Sequence, residues 1–157
     1  MPVYEVEMGT GKGPQIFAPG RELIAPDMFA FRGTNIRWIE AKHKTVFSWH
    51  RITQRWVTGI DLRHYHDYQE VAKLNRWEVW LLFLHQSCKP DERDLSYCPG
   101  PCPTGLFAGE LKYLIAHENH RHPNWGRSGM VYWAHETLKL LASLEEINGC
   151  IEKMKAG

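Results

Sequence analysis

Residues 24–44 read IAPDMFAFRGTNIRWIEAKHK. Two short apolar runs flank Gly33-Thr34-Asn35, a tripeptide suited to a tight turn, so the stretch is expected to form a β-hairpin. Strand side chains alternate between two faces. Ile36, Trp38, Glu40 and Lys42 then share one face, and the hairpin can bring Asp27 to it as well. Pro26-Asp27 is separated by twelve residues from Glu40-Ala41-Lys42. Two carboxylates and one ammonium are therefore expected together on adjacent strands.

Paired carboxylates can hold a hard divalent cation through oxygen. Such a cation lowers the pKa of a water and offsets charge developing on a phosphate. A lysine beside it can orient the water or steady the pentacovalent phosphate. These residue types suit metal-assisted phosphodiester hydrolysis. The pattern Pro26-Asp27 … Glu40-Ala41-Lys42 resembles the PD-(D/E)xK nuclease superfamily, which includes restriction enzymes, archaeal Holliday-junction resolvases and RecB-like nucleases. The resemblance implies Mg²⁺ (or Mn²⁺) held by Asp27 and Glu40 with help from the Ala41 carbonyl, and Lys42 acting on the water. It implies a restriction-endonuclease-like α/β core, a central mixed sheet flanked by helices in the order αβββαβ. The plainer reading of the same residues is a solvated hairpin with an ordinary ion pair along a strand.

The succession of elements is compatible with that core over about residues 20–86. Residues 37–49 read as a long strand, Thr53-Gln54-Arg55 as a turn, and residues 55–60 as a further strand. Asp61 can cap a helix running through Asn75, with Leu62, Tyr65, Tyr68 or Gln69, and Ala72 on one side. Residues 78–85 (EVWLLFLH) form a near-continuous apolar run suited to a buried strand. The departure lies at the start. The family core opens with a helix, often carrying a third acidic ligand, whereas residues 1–20 are rich in Gly and Pro and read as loop or short strand. Glu22 is the nearest stand-in for that ligand, ahead of Glu5 and Glu7.

In resolvase-like and RecB-like relatives the helix after the motif often carries Gln and Tyr four apart. Here His64 and Tyr68 have that spacing, which puts them on one helical face. His64 could then meet a phosphate or the activated water. Alternatively Tyr65 and Tyr68 are core aromatics, and His64 and His66 are solvated.

Net charge is only +1, so the chain is no generic polybasic binder. Between Arg32 and Arg63, however, stand seven basic residues (Arg32, Arg37, Lys42, Lys44, Arg51, Arg55, Arg63) against Glu40 and Asp61. That window surrounds the motif, where phosphates would need countercharge. Lys44, Arg51, Arg55 and Arg63 are the candidate DNA contacts. Trp49 and Trp56 could stack on a splayed base, although tryptophans of this kind more often belong to the core or an interface.

The four cysteines include three in a Pro-rich loop spanning residues 86–104. His85, Cys88, Cys98 and Cys102 could close a tetrahedral structural Zn²⁺ site. His117, His120 or His122 could supply the fourth ligand instead, or the thiols are simply reduced. Cys150 reads as packing. Residues 107–119 read as a helix, residues 130–134 as a strand, and residues 136–155 as a helix with Leu138, Leu141, Leu144 and Ile147 apolar.

At 157 residues the chain reads as a single nuclease-like domain, with 105–157 as a helix–strand–helix extension. No apolar run is long enough to span a membrane, and no signal pattern opens the chain, so a cytoplasmic location is expected. Paired cuts across a duplex or junction suggest a homodimer, with Tyr132, Trp133 and the Leu138, Leu141, Leu144 stripe as a candidate interface, or that stripe covers the chain's own sheet. DNA is the expected partner. Two further readings stay open: a catalytically silent DNA-binding or assembly subunit of the same fold, and a zinc-stabilised interaction module.

Overall fold

The hairpin organises the molecule. Gly33 turns the chain with φ +61°, a left-handed conformation that suits glycine. Strands β4 (Met28–Arg32) and β5 (Asn35–Lys44) leave that turn antiparallel, with Met28 opposite Ile39 and Phe29 opposite Trp38. The computed structural model describes residues 3–5, 13–44, 46–87 and 100–156. Before the hairpin come β1 (Val3–Glu5), β2 (Gln15–Ala18) and β3 (Arg21–Ile24), which form a small antiparallel sheet. After it come β6 (Ser48–His50), β7 (Arg55–Asp61), α1 (Leu62–Asn75), β8 (Glu78–His85) and β9 (Gly105–Glu110). The chain continues through α2 (Leu111–Ala116), β10 (His120–His122), β11 (Met130–Ala134), β12 (Lys139–Ala142) and α3 (Leu144–Ala156).

The fold is mixed α/β. The central sheet has the order β12-β9-β8-β5-β4, and β5 and β8 are its parallel pair. A parallel pair needs a crossover, here supplied by β6, β7 and α1. A second, antiparallel sheet has the order β10-β11-β7-β6. Trp38, Val79, Leu81 and Phe83 line the core face of the central sheet, and Tyr65, Tyr68 and Val71 of α1 are buried with them. Phe47, fully buried just before β6, stacks on His85 at 3.7 Å and meets Phe107 edge-on. The opposite face of the central sheet carries Ile39, Trp80, Leu82 and Leu84, all half-buried.

Several expectations are corrected. Strand β5 ends at Lys44, and Ser48–His50 pairs into the other sheet. Residues 107–110 belong to β9, and only Leu111–Ala116 is helical. The expected last helix is split: Lys139–Ala142 is an edge strand, and α3 starts at Leu144. Tyr132, Trp133 and Leu138, expected at a subunit interface, are buried in the chain's own core, while Leu141 is exposed. Asp61 precedes α1 without capping it through its side chain. Instead Gly129 O accepts from Leu62 N at 2.9 Å and Ser128 Oγ from Arg63 N at 3.1 Å. The loop before β11 thereby satisfies helix donors that would otherwise lack partners. No helix among the described residues is long and apolar enough to cross a membrane.

His85 is fully buried at the end of β8. Burial first, and the Lys44 charge second, push its pKa down to about 4, opposed weakly by the Val46 backbone. The folded chain therefore binds this proton less tightly than the unfolded one. The neutral ring favours folding fully above the ordinary imidazole pKa, and that stabilisation is lost as pH falls from about 6.5 through 4. The loss is on the order of 3 kcal/mol from this one ring. His85→Phe should keep the stack on Phe47 and flatten the denaturation midpoint over that pH range. An unchanged pH dependence would assign acid sensitivity to other groups. Cys102 is also buried; Cys88 and Cys98 of the expected zinc set lie outside the described residues.

Candidate active site

Glu40 is the anomaly on the core face. Its neighbours in β5 and β8 along that face are Trp38, Leu81 and Lys42, and its carboxylate is 1 % exposed. Continuing the β4–β5 register one step beyond Met28↔Ile39 puts Asp27 across from Glu40. Asp27 Oδ2 accepts a hydrogen bond from Ala41 N at 2.9 Å, which fixes its carboxylate at the strand end. Lys42 Nζ forms an ion pair with Glu40 Oε1. Beyond that ion pair, neither Glu40 oxygen accepts a hydrogen bond of good geometry among the described residues. Tyr68 nevertheless stands close enough for its phenol and the carboxylate to perturb one another.

The electrostatics follow from burial. Desolvation raises the Glu40 pKa, Lys42 and Tyr68 oppose it, and the Asp27 charge adds to it. The Tyr68 hydroxyl is pushed up by burial and by the Glu40 charge, so it stays protonated. His64 is held below the ordinary imidazole range by burial and then by Lys42, and its buried Nδ1 has no partner among the described residues. The His64 and Tyr68 rings lie 5.8 Å apart, one helical turn along α1.

These groups face one cleft of about 490 Å³. Asp27, Glu40 and Lys42 come from the hairpin, Arg63, His64 and Tyr68 from α1, and Glu22, Ile24 and Ala25 from β3 and the turn after it. The β2–β3 hairpin is tied over the helix. Asp67 Oδ2 accepts from Ile24 N at 3.1 Å, and Arg21 pairs with Glu70 at 2.8 Å. Asp27, Glu40, Lys42, His64, Tyr68 and Glu22 all line this cleft, and Ala41 joins them through its backbone bond to Asp27. Glu22 accepts from Gln15 Nε2, so part of its oxygen capacity is in use.

The expected DNA contacts divide. Arg63 lines the cleft. Arg55 pairs with Glu136 at 3.7 Å and Arg51 sits in the β6–β7 turn, neither lining it. Lys44 is half-buried beyond Lys42, and its pKa is lowered by burial and then by the Lys42 charge. Trp49 and Trp56 pack edge-to-face on one another at 5.2 Å, Trp56 buried, so neither offers a free face at the cleft. Two polar side chains at the cleft had no sequence signal. Gln15 comes from β2, and Arg127 from the loop that caps α1. Arg127 lies far from the motif in sequence, Gln15 falls in the Gly- and Pro-rich stretch before it, and nothing in local composition links either to the motif.

Among the described residues no group of three or more His, Cys, Asp or Glu is gathered closely enough to hold a metal by itself. Two carboxylates plus a backbone carbonyl would leave half of the positions of an octahedral ion to water and substrate. Magnesium in phosphate chemistry commonly binds that way. The buried Glu40 carboxylate, engaged by Lys42 alone at good geometry, fits such an ion. Comparison with family models, with curated proteins and with solved structures gives no match.

Proposed function

We propose that the chain is a metal-dependent DNA endonuclease of PD-(D/E)xK type, with its site in the cleft between the β4–β5 hairpin and α1. The observation that carries the reading is Glu40. A buried carboxylate costs stability even when paired with one lysine, and hydrophobic packing would have been better served by leucine. Its retention beside Asp27, Lys42, His64 and Tyr68 has a reason if it binds a cation and a phosphate there. The parallel β5–β8 pair joined through α1 also supports a restriction-endonuclease-like core.

Asp27 and Glu40 would hold Mg²⁺ or Mn²⁺ with the Ala41 carbonyl. When bound, the ion would lower the pKa of a water and neutralise phosphate charge. The chain's own residues supply the rest. Lys42, already drawn to Glu40, would turn its ammonium toward a phosphate oxygen once that carboxylate is engaged. Tyr68 stays protonated and can donate to Glu40, which orients the carboxylate. Neutral His64 can accept a hydrogen bond from the attacking water. Arg63 and Arg127 would pair with flanking phosphates. Water oxygen would bond to phosphorus as the in-line P–O ester bond breaks; neutral His64 would take up the water's proton, the leaving oxygen would take a proton from solvent water, and one chain end keeps the phosphate.

Arg63→Glu and Arg127→Glu should each weaken DNA binding about tenfold or more and reduce the salt slope by about one ion. Arg55→Glu should change it less, because Arg55 is engaged with Glu136. Titration of labelled duplex over a range of salt, in EDTA, measures both quantities. Equal effects at all three positions would move the DNA path out of the cleft.

A further inference from the structure

Trp125 is 56 % exposed, although its loop is firmly fastened. Trp125 N donates to His122 O at 3.4 Å, and the loop's Ser128 and Gly129 cap α1. Gly126 has φ +68°, and a Cβ there would lie 2.7 Å from Asp61 Oδ1. A side chain at 126 would therefore push the loop off the helix. Two residues after Trp125, Arg127 lines the cleft together with Arg63.

The indole is braced from behind. Its ring lies 4.8 Å from that of His122 and meets Tyr132 nearly edge-on at 6.4 Å. Tyr132 stacks on His120 at 4.6 Å, and His120 on His50 at 3.7 Å. Thr53 and Asn119 bond to these imidazoles and to each other, which locks the row. An exposed ring held in place loses little freedom on binding.

We propose that Trp125 stacks on an unpaired base, so that the cleft receives DNA with a single-stranded nucleotide beside the phosphate it holds. This rests on the nuclease reading for the identity of the polymer. Every base has a π-face, which makes stacking tolerant of sequence. In an intact duplex those faces are already stacked on their neighbours. A tryptophan two residues from a cleft arginine, on the loop that carries it, therefore selects a gap, flap or junction over continuous duplex. The arginines supply countercharge for neighbouring phosphates.

The test uses labelled DNA in EDTA, where nothing is cut, and reads anisotropy. One probe is a continuous duplex and the other the same duplex with a short single-stranded gap. Wild type should bind the gapped probe more tightly. Trp125→Ala should weaken that binding about 5- to 100-fold and leave the duplex unchanged, while Trp125→Phe keeps most of the preference. Equal affinities of Trp125→Ala and wild type for gapped DNA, or equal losses on both probes, would overturn the inference. Cleavage of the gapped probe with Mg²⁺ is read separately. A gap preference dependent on Trp125 without any cleavage would sink the nuclease reading and leave the stacking role standing. Cleavage with no such preference would do the reverse.

Discussion

Glu40→Gln should abolish Mg²⁺-dependent cleavage, a loss of at least about 10³-fold, without lowering the stability of the metal-free protein. The substitution keeps the shape of the side chain and removes its charge. Burial raises the Glu40 pKa, so the folded chain binds this proton more tightly than the unfolded one. The ionised form therefore costs stability above the folded pKa, and that cost is relieved as pH falls toward the ordinary carboxylate value. Glutamine removes it at every pH. Lys42, left without its partner, is 26 % exposed and can swing toward water.

Loss of activity without loss of stability marks a group kept for function. Asp27→Ala and Lys42→Ala should also stop cleavage, each by removing a different part of the unit. Wild-type cleavage should itself fall off on the acid side at a higher pH than an ordinary carboxylate would give, because Glu40 must be ionised to take a cation. Cutting at the wild-type rate by all three variants would disprove the site. A Glu40→Gln protein that cuts poorly but also melts well below wild type would point to a structural role instead.

The parts of this site legible in sequence are those set by local rules. Alternation along β5 puts Trp38, Glu40 and Lys42 on one face, and helical spacing puts His64 and Tyr68 on another. The strand at Glu78–His85 is readable because both its faces are covered, giving an apolar run. What failed was decided by tertiary pairing. Gly105–Glu110 pairs with β8, which overrides the helical period beginning at Phe107. Leu138, Leu141 and Leu144 have a spacing that fits a helix, yet a short bulged strand separates the first from the last. Arg127 enters the cleft only because its loop caps α1, a connection across the chain that no local pattern encodes. The basic window misled for a related reason. Sequence proximity to the motif brought Arg63 to the cleft but turned Arg55 toward Glu136.

Gly59→Ala should produce a large structural effect, since its Cβ would meet the closest backbone atom of any described glycine. Gly59 lies in β7 opposite Tyr132 of β11. A Cβ built there would stand 2.2 Å from the Val131 carbonyl oxygen and 2.8 Å from Tyr132 Cδ1. The first of these is backbone in the middle of a ladder, so no side-chain rotation relieves it. The strands must separate or the residue must twist out of register, at a cost of about 2–4 kcal/mol. In a chain of this length that lowers Tm by roughly 5–15 °C. Gly149→Ala is the matched control: it adds the same methyl within α3, where nothing lies within 4 Å, and should be neutral or stabilising by up to about 1 kcal/mol. Urea denaturation of both variants measures the difference. A wild-type midpoint for Gly59→Ala would mean that β7 and β11 do not approach so closely. The effect should also reach the cleft. β7 runs straight into α1, so displacing its end from β11 moves His64 and Tyr68 relative to Glu40. At temperatures where Gly59→Ala remains folded, its cleavage should therefore fall more than the folded fraction alone accounts for. Gly149→Ala should cut as wild type does.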